Sequence, residues 1–130
     1  MAISVVRLGE PRAPAEGLRL GTVRRPPRGV KKAEYSTRDF FDVWMPELAP
    51  SAELVSWALS EPFTPPRWAR YAKLYRSQMG KPPASRLITL LAGLSHHSNF
   101  SVGCYCADET RCHRSLLRGL LLDAGAQIND

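Results

Sequence analysis

One block limits what this chain can fold into more than any other: Phe100-Ser-Val-Gly-Cys-Tyr-Cys106, a polar loop over residues 107–111, and then Cys112-His-Arg-Ser-Leu-Leu-Arg-Gly-Leu-Leu-Leu122. The first run is β-prone. In the last, Leu116, Leu117, Leu120, Leu121 and Ala124 recur at the spacing of one helix face, while Arg111, Arg114 and Arg118 fall on another. A strand that hands over to a helix through so short a loop belongs to an α/β protein. At such junctions the helix N-terminus offers free N–H groups to anions, and the carboxyl edge of the sheet holds ligands. All three cysteines and one of the three histidines fall within this junction. One helical turn before Leu116 and Leu117 stand Cys112 and His113, so both project along the buried side at the helix mouth.

The rest of the chain supplies partners for that unit. Residues 3–8 (Ile-Ser-Val-Val-Arg-Leu) read as a first strand and residues 18–23 (Leu-Arg-Leu-Gly-Thr-Val) as a second, stopped by Pro26 and Pro27. Thr37 or Ser36 is expected to cap a short helix that carries Phe40, Phe41, Val43 and Trp44 and ends at Pro46. Ser51 caps the next, with Leu54, Val55, Ala58 and Leu59 on one face. Thr64 caps a third, with Pro65 at its first position, Trp68, Tyr71, Ala72, Leu74 or Tyr75, and Met79 as its buried stripe, and Gly80 at its end. Ser85 is expected to start a fourth. In the third helix, core packing is the favoured role of Tyr71 and Tyr75 and a pocket wall the alternative. The expected architecture is one α/β domain over residues 1–130: a small sandwich with a short, mostly parallel sheet of three strands and helices on its faces. Phe100–Cys106 lies at its centre, and Asp108 or Thr110 caps the last helix.

The formal net charge is +6. Arg19, Arg24, Arg25, Arg28, Lys31 and Lys32 are concentrated between Gly17 and Ala33, with no acidic residue among them. Such a run favours anionic partners. If the second and last strands are parallel neighbours, the loop from Arg24 to Lys32 and the Cys112 helix meet across one crevice. Arg25, Arg28 and Arg114 are then the expected anion-binding residues, since the planar guanidinium fork suits phosphate and carboxylate alike. Cys112 is the candidate nucleophile or redox centre, because a helix N-terminus and neighbouring cations favour thiolate. His113 is the candidate acid/base or positioning group. A small anionic ligand is the expected partner. The alternatives are a nucleic-acid-binding module that uses segment 19–32, or a structural or interaction protein in which the cysteines are packed and the arginines paired.

Other chemistries fit less well. Cys104-x-Cys106-x5-Cys112-His113 departs from the two-to-four-residue knuckles of zinc sites, so no metal and no other cofactor is expected. Cys112-x5-Arg118 has the spacing of a phosphatase loop, but its intervening residues look helical and separate the two side chains. Three cysteines cannot all pair, although a local Cys104–Cys112 or Cys106–Cys112 bridge remains open. No apolar stretch approaches the ~18 residues of a membrane span, and the N-terminus lacks the apolar core of a secretory signal. No membrane partner is expected, and cytoplasmic residence is.

Several segments together resemble the domain-of-unknown-function family 488. They are Leu18-Arg-Leu-Gly-Thr-Val-Arg-Arg-Pro-Pro-Arg-Gly29, Trp44-Met-Pro-Glu-Leu-Ala-Pro-Ser51, Trp68-Ala-Arg-Tyr-Ala-Lys-Leu-Tyr75 and the terminal Cys-His-Arg of residues 112–114. The last is similar to the subgroup with a Cys-His-Arg motif. Pro26 departs from the pattern, standing where the family usually has tryptophan. The resemblance spans about residues 18–125 and implies a compact α/β domain, without an established reaction.

Overall fold

Ile3–Arg7 (β1), Leu18–Gly21 (β2), Val43–Trp44 (β3) and Phe100–Cys104 (β4) form one all-parallel sheet in the order β1-β4-β2-β3. This is seen in a computed structural model that describes residues 1–129. All five residues of β4 are buried, as befits the strand with neighbours on both sides and layers above and below. Ile3 and Leu18 flank Phe100, and Val5 and Leu20 flank Val102, so one apolar row crosses three strands. That row packs with residues of four helices, Ala52–Leu59 (α1), Pro65–Met79 (α2), Ala84–Leu94 (α3) and His113–Asp123 (α4). Tyr75, Leu117 and Leu121 are fully enclosed there, and the Tyr75 hydroxyl donates to the Leu48 carbonyl at 2.8 Å.

The alternate residues of the strands meet loops. Arg19 on β2 and Ser101 on β4 both reach Glu16, in the β1–β2 connection. Two Arg19 nitrogens grip the carboxylate at 2.7 and 2.9 Å, and a third donates to the carbonyls of Glu10 and Asp39. Arg19, read from sequence as part of the basic run, is therefore a buried structural cation. Its charge is matched and its donors are occupied, as burial requires.

Residues 37–44 are the main correction to the expected secondary structure. The predicted helix is absent, and the segment contributes a fourth, two-residue strand. Asp39 takes a positive φ of 60°, which breaks a helical run. Asp42 is then anchored by Arg12, by the Ser36 hydroxyl and by the backbone N–H of Arg19. Phe41 is buried over Gly21, where any Cβ would overlap its ring. The apolar residues that suggested a helix face are thus spent on two different contacts.

The helix starts follow local chemistry. Ser51 Oγ accepts from Leu54 N and Thr64 Oγ1 from Arg67 N, as expected for caps. α3 begins two residues earlier than expected, at Ala84, with Pro83 before it in place of a Ser85 cap. Asp108 caps only a short turn over Glu109–Arg111, and α4 proper starts at His113. Cys112, with φ −124° and ψ 150°, is its N-cap residue, so it stands just outside the helix and not in its first turn. No helix among the described residues is long and apolar enough to cross a membrane.

Candidate functional site

The site lies at the carboxyl edge of the sheet. β2 and β4 are parallel neighbours, so the segments that follow Gly21 and Cys104 leave on the same side. Three hydrogen bonds tie them together. Thr22 Oγ1 donates to Gly103 O at 2.9 Å, His113 Nε2 meets Thr22 O at 2.5 Å, and the Tyr105 hydroxyl donates to Arg25 O at 3.0 Å. The start of the basic loop and the mouth of α4 therefore share one crevice.

That crevice is a cleft of about 590 Å³. Cys104, Cys112 and His113 line it from the sheet edge, with Tyr105, Cys106 and Arg111 from the β4–α4 loop. Val23, Arg24 and Arg25 contribute from the β2 side, and Val55, Trp57, Phe63, Trp68 and Tyr71 from α1, α2 and the turn between them. Trp68 stacks on Tyr71, with centroids 5.4 Å apart and planes 19° from parallel. Arg67 covers Trp57 at 4.1 Å and Arg111 covers Phe63 at 4.2 Å.

His113 is held in one proton arrangement by its partners. A carbonyl oxygen can only accept, so the ring nitrogen facing Thr22 O carries the hydrogen. The other, Nδ1, therefore presents its lone pair, and it lies 3.6 Å from Cys112 Sγ. Burial pushes the His113 pKa down to about 4, against the raising effect of the Thr22 bond and with Arg114 lowering it further. At neutral pH the ring is thus an uncharged base next to a thiol position.

The three sulfurs converge. All lie within 4.8 Å of one another, and Cys104 and Cys112 are paired in a disulfide, leaving Cys106 free and exposed. The turn at Glu109–Arg111 folds Cys112 back onto the strand end, and of the two local bridges the sequence left open the Cys104–Cys112 one is formed. In the reduced protein the three thiols, so close together, form a donor set for a soft cation despite knuckle spacing that argues against zinc. Burial pushes the Cys106 thiol up, with Arg114 and Arg7 acting in the opposite direction.

The arginines differ in what they are free to do. Arg25 is exposed and lines the cleft. Arg24 also lines it but is engaged with the carbonyls of Pro46, Ala49 and Pro50. Arg28 is exposed on the same loop, beyond the cleft lining. Arg114 is buried and donates to Cys106 O at 2.5 Å, while its Nε has no partner. With Arg19 and Arg24 committed to protein groups, the basic run offers Arg25, Arg28, Lys31 and Lys32 as exposed cations. The aromatic wall was only partly visible in sequence. Trp68 and Tyr71 are placed at the cleft, Tyr75 in the core, and Trp57 and Phe63 join the wall without a motif to mark them.

Fold and site together define a parallel α/β domain whose cysteine sulfurs line an aromatic cleft at the sheet's carboxyl edge. The chain belongs to the DUF488 family: residues 3–125 match the family model described as the active DUF488-N3 subclade, DUF488-N3a. No curated protein and no solved structure matches it.

Proposed function

We propose that the cleft binds a small anionic molecule, phosphate- or carboxylate-bearing, and acts on it through Cys112. The observation that carries this reading is the Cys112–His113–Thr22 arrangement at the cleft: a cysteine sulfur, a neutral base 3.6 Å away, and a carbonyl that orients the base. This is the geometry of an activated nucleophile. In the reduced protein Nδ1, neutral at rest, takes the thiol proton as the sulfur bonds to an electrophilic centre and the leaving group departs, and the proton then passes to that group.

Arg25 is the cation best placed to receive the anion, with Arg28 following on the same loop. Arg114 supports the site through the Cys106 carbonyl, which fixes the β4–α4 loop beside the sulfurs. The Cys104–Cys112 bridge masks the nucleophile, so the active form is the reduced one, consistent with a reducing compartment such as the cytoplasm. The nucleic-acid alternative keeps only the exposed part of its basic segment.

A charge-matched pair of alkylating agents tests this. In the reduced protein, anionic iodoacetate is expected to modify Cys112 several-fold faster, relative to neutral iodoacetamide, than it modifies a free thiol. Arg25→Ala should abolish that advantage while leaving the iodoacetamide rate unchanged. Equal relative rates in the wild type would overturn the anion reading.

A further inference from the structure

We propose that the ligand of this cleft is a nucleoside 5′-monophosphate, its base lying on the aromatic wall and its phosphate at Arg25. The inference rests on the anion reading above and adds the body of the molecule to it. A bare phosphate or small carboxylate fills a minor part of 590 Å³ and leaves most of the wall unexplained. That wall is apolar, and a ligand that uses it must bury substantial apolar surface.

The shape of the wall narrows the choice. Trp68 and Tyr71 stack on each other on α2, and both line the cleft. Phe63, 44% exposed, lies beside Trp68 with centroids 6.4 Å apart. Arg111 sits over Phe63, its Cζ 4.2 Å from the ring centroid, and adds a cation to that aromatic wall. Flat heteroaromatic rings stack on such platforms whatever their edge pattern, and each base–aromatic contact typically raises affinity roughly 5- to 150-fold. An aliphatic ligand would use the area but not the stacked geometry. Arg25, on the loop after β2, lines the same cleft and supplies the second requirement, a cation. A nucleotide has the flat body and the anion at its two ends.

Titration calorimetry on the reduced protein separates the parts, with AMP, UMP, ribose 5-phosphate, adenosine and a short single-stranded oligonucleotide as probes. AMP and UMP are expected to bind at least tenfold more tightly than ribose 5-phosphate. Trp68→Ala should bring AMP down to the ribose 5-phosphate level without weakening ribose 5-phosphate itself. Phe63→Ala, at a half-exposed site, should give a smaller loss in the same direction. Equal binding of AMP and ribose 5-phosphate overturns the base assignment and leaves the anion reading intact. Adenosine binding as well as AMP overturns the anion reading and the monophosphate with it. A tighter oligonucleotide complex that weakens steeply with salt replaces the nucleotide by nucleic acid. Binding of none of the probes overturns the nucleotide proposal, while the iodoacetate comparison judges the anion site separately.

Discussion

Replacing Arg19 by leucine is expected to destabilise the protein by about 3–5 kcal/mol, the usual consequence of removing one partner of a buried ion pair. Both side chains are enclosed, at 1% and 3% exposure. Burial alone pushes the Glu16 carboxyl up, and the bonds from Arg19 and Ser101 more than offset it, so its pKa is lowered overall. Without Arg19 the carboxylate loses two donors, and the carbonyls of Glu10 and Asp39 lose theirs. Urea unfolding checks the magnitude. The double variant Arg19→Leu/Glu16→Gln should recover part of the loss, since it removes the stranded charge. A single-variant loss below about 1 kcal/mol would mean that the pair is not sealed from water as the structure has it.

Stability is expected to fall by up to about 3 kcal/mol as pH drops from 6.5 to 4, because of His113. The folded ring resists protonation down to about pH 4, whereas the ordinary value is 6.5. Between those values the unfolded chain binds a proton that the native state does not, so stability rises with pH there and is fully present above 6.5. Asp42 acts in a lower window. Burial raises its pKa, but bonds from Arg12, Ser36 and the Arg19 backbone bring it down to about 2, so its contribution is lost only below its ordinary 3.8. In His113→Gln the slope between pH 6.5 and 4 should largely disappear. An unchanged slope in that variant assigns acid sensitivity to other groups.

These two groups also mark what sequence reasoning can reach. The β4–α4 junction was legible because its signals are local: a β-prone run, a polar loop and an apolar stripe with Cys112 and His113 one turn ahead of it. The neighbouring position of the basic loop followed from one topological premise, parallel β2 and β4, which the sheet satisfies. Arg19 was not legible as a core residue, since its partner Glu16 and its two carbonyls come together only when the β1–β2 connection folds over the sheet. Residues 40–44 were misassigned for a related reason. Phe41 and Trp44 match a helical face, but Phe41 packs on Gly21 and Trp44 donates to the Val23 carbonyl, contacts that no periodicity encodes. The cleft wall hides in the same way: Trp57, Phe63 and Trp68 come from separate segments and look like ordinary core aromatics.

The most direct test of the Cys112–His113 pair is the pH dependence of alkylation, mapped residue by residue in the reduced protein. Cys112 should react with iodoacetamide with an apparent pKa below the ~8.5 of a free thiol, and below that of Cys106. His113→Gln should slow Cys112 alkylation at neutral pH several-fold, because the general base is lost, while leaving the Cys106 rate where it was. A Cys112 that reacts only after denaturation, or whose rate is the same with glutamine at position 113, would contradict the pairing.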